Sequence, residues 1–168
     1  MKRIAITLTV LLASLMCFQA NAQNVMQKGT NLVSVGLGIT NNRVPISAVY
    51  DRGIVDNLFD SPDAALSVGA MAGASLGKGY NGFLIGPRAG IHYHFIPELD
   101  TYMSLMLGLE SGRYSTSNNG EVTNTGWVNN LGWGIHVGTR YFITPQVGLC
   151  LELGYGYSFA NIGVAFKL

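Results

Sequence analysis

Six charged side chains, Asp51, Arg88, Glu110, Arg140, Glu152 and Lys167, lie inside apolar stretches and share one phase of a two-residue alternation. Successive side chains of an extended strand point to opposite faces, so these six fall on the face rich in glycine and serine, opposite the one that carries most of the valines, leucines and isoleucines. Independent phasing would place all six on that face about once in 64 trials, given two faces per strand. A chain with this pattern is built of strands that are apolar on one side and polar or small on the other.

The environment of the apolar side follows from size and composition. Hydrophobic residues make up 48% of the chain and charged residues 11%, against about 25% charged in ordinary soluble domains. A chain of 168 residues forms one domain, too small to hide that much apolar surface in a dry core. A surface facing hydrocarbon is the alternative. Met1 to Ala22 carries Lys2 and Arg3, an apolar run from Ile4 to Phe18, and Ala20-Asn21-Ala22 in the small-x-small arrangement of a cleavage site. It reads as a secretory signal peptide cut before Gln23, since the apolar run is shorter than the ~20 residues of a spanning helix. Acylation at Cys17 is disfavoured by Ser14-Leu15-Met16 before it. The remainder, residues 23–168, holds eight basic and nine acidic residues, a net charge of −1, and Cys150 as its one cysteine. An intramolecular disulfide is then impossible, and no basic patch points to nucleic acid.

No window after Ala22 offers 18 consecutive apolar residues, which leaves a closed β-barrel as the way to satisfy the backbone in lipid. Eight segments have the required alternation over roughly 9 to 11 residues. They are predicted at Thr30–Ile39, Pro45–Ile54, Ala65–Ser75, Phe83–Phe95, Thr101–Arg113, Val128–Phe142, Val147–Ser158 and Asn161–Leu168. Asn41-Asn42-Arg43, Val55–Asp63, Gly77–Gly82, Ile96–Asp100 and Thr144-Pro145-Gln146 read as turns, and Ser115–Thr125, rich in Ser, Thr, Asn and Gly, as the longest polar loop. Pro87 withholds one ladder hydrogen bond and is expected to mark a bulge. Arg52 and Arg113 fall in the apolar phase but near strand ends, where the membrane penalty shrinks to about 0–1 kcal/mol and the side chain can reach water. Phe95, Tyr141 and Phe166 are expected at one interface, and Phe83, Tyr114, Trp127, Tyr155 and Tyr157 at the other, as aromatic girdles.

In the last segment Ile162, Val164, Phe166 and Leu168 alternate with Asn161, Gly163, Ala165 and Lys167. Asn161, Gly163, Phe166 and Leu168 resemble the C-terminal signal by which outer-membrane barrels are inserted, with Leu where that signal more often has Phe. The inward acids Asp51, Glu110 and Glu152 and bases Arg88, Arg140 and Lys167 are expected to form an internal network joined by His92 and His136. Eight strands enclose just enough space for side chains, so a plugged interior is expected, with inward glycines making room for the long residues.

Other chemistry fits less well. Gly77-Lys78 lacks the glycine and hydroxyl residue of a phosphate loop, with Ala72 and Gly79 in their places. Gly36-x-Gly38 lacks the third glycine of a dinucleotide fingerprint. His92 and His94 share a strand face without a third ligand at metal spacing, so neither metal nor other cofactor is expected. His136 with Ser104 or Ser158 and Glu110 could form a lipid-acyl hydrolase or transferase site, but no strained nucleophile motif accompanies them. A soluble lipocalin would need an apolar cavity on the face that here bears glycines and charges.

Residues 23–168 as a whole resemble the small OmpA/OmpX-like bacterial outer-membrane barrels, through Thr30–Gly38, Leu99–Gly108, Gly138–Ile143, Leu151–Gly156 and Asn161–Leu168. That resemblance implies an all-β, eight-stranded antiparallel up-and-down transmembrane barrel in the outer membrane of a Gram-negative cell envelope. It implies contact with lipid and lipopolysaccharide, insertion by the barrel assembly machinery, and a monomer. The expected role is non-enzymatic, structural or surface-interacting, with a narrow porin-like channel or small-ligand barrel as the alternative and a lipid-acyl enzyme behind it.

Overall fold

The computed structural model describes residues 24–40, 43–77, 80–118 and 121–168. Residues 1–22, assigned to a signal peptide, and the Asn41-Asn42 pair lie outside the described residues. Eight strands follow in chain order: β1 (Asn31–Ile39), β2 (Arg43–Val55), β3 (Ala64–Gly77), β4 (Tyr80–Ile96), β5 (Leu99–Asn118), β6 (Glu121–Phe142), β7 (Val147–Tyr155) and β8 (Ala160–Lys167). Each pairs antiparallel with its sequence neighbours, and β1 pairs with β8 to close an up-and-down barrel. Closure leaves no free edge in the paired section, and the backbone is satisfied within the wall.

The alternation sorts the side chains. Val35, Leu37, Leu105, Leu109, Leu131, Leu151 and Ile162 are exposed on the outer wall, while Leu32, Asp51, Met71, Arg88, Tyr102, Met106 and Arg140 are buried inside. Such a continuous apolar exterior has the opposite polarity to a water-soluble barrel.

Interior side chains stack in layers. At the end carrying both termini, Val25 and Met26 of the N-terminal segment fold across the barrel and bury with Leu32, Ala65, Phe142 and Ala165. The segment is tied down by Gly29 N–H to Gly53 O and Gly53 N–H to Thr30 O, both 2.9 Å. Next comes a layer of charged and polar groups, and beyond it an apolar layer of Val49, Met71, Leu84 and Met106 with Tyr157 packed against it. The opposite end opens into a cavity.

Several boundaries differ from the sequence expectation. Ser115–Thr125 is not a loop: β5 and β6 run on together to Asn118 and Glu121, with a register shift between Thr116 and Ser117. Polar composition does not by itself distinguish a loop from a paired hairpin, because backbone pairing asks nothing of the side chains. The Gly77–Gly82 turn is shorter than expected, because Gly77 pairs with Tyr80 and Leu76 with Asn81. Leu99 and Asp100 belong to β5 rather than to a turn. Pro87 makes no bulge, since Ile85↔Leu109 and Arg88↔Met106 keep one register across it; the irregularity falls between His94 and Ile96. The Val55–Asp63 turn begins one residue later, at Asp56, since Val55 pairs with Leu66 as the end of β2, and it is built around a 3-10 segment at Leu58–Asp60.

Two aromatics depart from the expected girdle. Tyr114 occupies the inward phase, its ring over Gly126. Tyr157 also turns inward, because Gly156 takes φ +105°, where the space a Cβ would need is 2.1 Å from Trp133 O. That left-handed residue ends β7 and breaks the alternation after the exposed Tyr155. Tyr157 Oη then donates to Ile46 O at 3.0 Å and Ala74 O at 3.1 Å. Gly156→Ala forces strained backbone and a backbone clash together, and should lower unfolding stability by ~1–3 kcal/mol. A shift in the urea midpoint of the reconstituted barrel measures it.

Candidate functional site

The charged layer is assembled by strands far apart in sequence. β6 supplies Arg140, whose Nη2 donates to Asp51 Oδ2 of β2 at 2.5 Å and whose Nη1 donates to Asp100 Oδ2 of β5 at 3.2 Å. From β4, Arg88 donates through Nη2 to Glu152 Oε1 of β7 at 2.6 Å, and its Nε lies 3.5 Å from Asp51 Oδ1. Tyr102 completes the centre: its hydroxyl donates to Glu152 Oε1 at 2.8 Å, and its ring lies 4.2 Å from the Arg140 guanidinium carbon and 5.5 Å from that of Arg88. Asn161 Nδ2 donates to Glu152 Oε2 at 3.3 Å and to Ser158 Oγ at 2.6 Å. All of these groups are buried, so each charge depends on its partners rather than on water.

Toward the terminal end, His92 Nδ1 donates to Asp100 Oδ1 at 2.8 Å, and its Nε2 shares a hydrogen bond with Ser67 Oγ at 2.8 Å. His94 closes that end. Its Nδ1 donates to Asp63 O at 3.0 Å, and its Nε2 accepts the Met26 N–H at 3.0 Å. Small residues make this crowding possible: the missing Cβ of Gly138 would lie 2.5 Å from the Tyr102 ring.

The eight residues predicted for the lumen are not all joined. Asp51, Arg88, Arg140 and Glu152 meet directly, His92 joins through Asp100, and His136 reaches Glu152 only through Ser158 and Asn161. Glu110 lies higher, accepting from Tyr80 Oη at 2.8 Å, too far along β5 to meet the arginines. Lys167, half-buried at the terminal rim, makes no salt bridge among the described residues. Sequence reasoning missed Asp100, Tyr102 and Asn161 as members. Asp100 was hidden by the neighbouring Pro97, which makes Ile96–Asp100 look like a turn. The inward phase of Tyr102 was the available signal. In the insertion-signal stretch, Asn161 points inward, the absent Cβ of Gly163 would lie 2.1 Å from Val35 O, and Phe166 and Leu168 are exposed.

Ser67, His92 and Asp100 have the order of a nucleophile relay, whereas the sequence-based candidate is assembled only in part: Ser158 Oγ lies 3.4 Å from His136 Nε2, but among the described residues no carboxylate meets His136 Nδ1. Glu110 is bound to Tyr80, and Ser104 faces His136 across β5 and β6 without a hydrogen bond. The relay is fully buried, with Ser67 and Asp100 at 0% exposure, and Asp100 is also held by Arg140. Its evident consequence is to orient His92.

Above the apolar layer lies a cavity of about 670 Å³ bordered by Arg43, Ser75, Glu110, Asn130 and Tyr157. The Arg43 guanidinium stands 4.0 Å over the Tyr80 ring. In the β7–β8 turn, burial and the nearby Glu110 push the Tyr157 phenol up, which keeps it a donor.

The barrel has the fold of the small eight-stranded outer-membrane proteins of the OmpA/OmpX kind. It is similar to the N-terminal barrel domain of Pseudomonas aeruginosa OprF, with TM-score 0.61 and 17% identity over 84% of this chain and 98% of that one. Ail, the attachment invasion locus protein of Yersinia pestis, gives TM-score 0.52 and 11% identity over 84% and 96%. A designed transmembrane β-barrel gives 0.55 and 19% over 85% and 98%. No family model and no curated protein sequence matches the chain.

Proposed function

We propose that this chain is a monomeric integral protein of the bacterial outer membrane, exported by a cleaved signal peptide at residues 1–22, with a non-enzymatic structural or surface-interaction role. The observation that carries this reading is the pairing of an apolar exterior with a buried ion cluster in one closed barrel. Hydrocarbon tolerates the first, and the second needs no water. Both termini then lie on the periplasmic side, lipid and lipopolysaccharide surround the wall, and the barrel assembly machinery reads Asn161, Gly163, Phe166 and Leu168. The β5–β6 hairpin projects outward as the surface available to partners.

The lumen in this reading is plugged. Support comes from the void beside Tyr102, Cys150 and Glu152, which measures about 10 Å³, room for one water at most. A non-enzymatic role is supported by the burial of Ser67 and Asp100 beneath Val25 and Met26, out of reach of an acyl chain. The decisive experiment is gel migration of membrane-extracted protein with and without boiling. A heat-dependent shift is expected, and a folded species recovered in aqueous supernatant without detergent would reject the proposal. Planar-bilayer recordings should show no discrete conductance; steps that persist in purified protein would favour the channel alternative.

The cluster is proposed to hold the barrel rigid. Glu152→Leu removes the acceptor of Arg88, Tyr102 and Asn161 together, and should lower the melting temperature in detergent by about 5 °C or more. An unchanged value removes that role from Glu152.

A further inference from the structure

The wall is not equally tall all round. β6 pairs with β5 as far as Glu121, but with β7 only from Ile135 to Phe142. Gly156 ends β7 by turning the chain inward, so the β7 side of residues 121–134 has no strand partner among the described residues. Beside this step, the 670 Å³ cavity is bordered by residues of both phases. Arg43, Glu110, Asn130 and Tyr157 belong to the interior, whereas Leu131, Trp133, Tyr155 and Phe159 are exposed on the outer wall. The cavity therefore reaches the step in the wall, where Trp133, Tyr155 and Phe159 stand beside its interior groups, and its volume is within the ~300–1,000 Å³ typical of ligand sites.

The two ends of this notch differ in chemistry. On the outside, Trp133 and Tyr155 have ring centroids 5.6 Å apart and Tyr155 and Phe159 6.3 Å, a contiguous packed aromatic surface suited to a hydrocarbon chain. Inside, Tyr80 carries Arg43 over its ring and Glu110 on its hydroxyl, so a cation and a carboxylate stand within one ring's length of each other. A purely anionic head would meet Glu110, and a purely cationic head would meet Arg43. A head with both charges satisfies the two.

We propose that this side opening binds a single-chain membrane amphiphile with a zwitterionic phosphoethanolamine head. The acyl chain lies across the surface of Trp133, Tyr155 and Phe159, the phosphate faces Arg43, and the ammonium faces Glu110. Tyr157, fixed to Ile46 O and Ala74 O, forms the floor that keeps the ligand from the ion cluster. The inference rests on the membrane reading above, since the chain must enter from hydrocarbon.

Trp127 and Trp133 are the two tryptophans of the sequence, so Trp127→Phe leaves Trp133 as sole reporter. In maltoside micelles, chain-brominated lysophosphatidylethanolamine should quench Trp133 saturably at one equivalent, and lysophosphatidylglycerol with the same chain should bind several-fold more weakly. Asn130→Phe, which fills the notch, should abolish the saturable phase. Glu110→Gln should bring the affinities of the two lipids together, and serves alone if Asn130→Phe does not fold. Quenching that rises linearly with lipid, is equal for both heads, or is indifferent to these substitutions overturns the proposal. Gel migration of the same samples separates the causes. An intact barrel without saturable quenching removes only the notch, whereas failure of the Trp127→Phe background to form a detergent-stable barrel counts against both readings.

Discussion

Arg140→Met should be the most damaging single substitution in the lumen, with a loss of about 3–5 kcal/mol of unfolding free energy. The arginine is completely buried and donates to Asp51 and Asp100 while lying on the Tyr102 ring. Three carboxylates, Asp51, Asp100 and Glu152, share two guanidiniums in this layer. Without Arg140, Arg88 alone remains to balance them, and Asp100 keeps only the hydrogen bond from His92. Methionine fills much of the volume, so the loss would reflect uncompensated charge rather than a cavity. Adding Asp51→Asn and Asp100→Asn to Arg140→Met should therefore restore part of the stability, because a neutral amide in the same place has a smaller desolvation penalty. Urea unfolding in lipid vesicles reads both effects. A midpoint for Arg140→Met equal to that of the parent would show that the cluster does not stabilise the barrel, and absence of any rescue would show that charge is not the cause.

Leu105→Arg should be nearly as severe, for a reason outside the barrel. Leu105 is exposed at mid-height of β5, between the outward Met103 and Leu107. A cation there would lie in hydrocarbon and cost about 2–4 kcal/mol, whereas Thr101→Arg on the same face at the rim should cost about 0–1 kcal/mol. On a protein surrounded by water, both substitutions would be close to neutral. The difference between the two positions, measured by folding into vesicles, tests which solvent faces the wall. Equal and small effects would reject the membrane reading without reference to the lumen.

Much of this molecule was legible before its coordinates. The apolar phase of β5, Met103, Leu105, Leu107 and Leu109, lies outward, and its partners Ser104, Met106 and Gly108 lie inward. Strand existence was also legible, because Gly, Pro and Asn punctuate the chain where the hairpins turn. Strand ends at the β5–β6 hairpin were not, since a polar stretch reads as a loop whether or not its backbone pairs. Tyr157 was misplaced because one positive φ at Gly156 turns that side chain inward, while Ser158 and Asn161 keep their expected inward places.

The chain by itself determined which face of each strand is apolar, and with it the closed, one-layer architecture. That is a local property: a pleated backbone alternates its side chains whatever it later pairs with. The partners of each charge were decided by register around the closed ring. Arg140 meets Asp51 across 89 residues and Arg88 meets Glu152 across 64, while Glu110 and Lys167, on the same face, are carried above and below that layer. Strand tilt and stagger set these heights, and no two-residue period contains them.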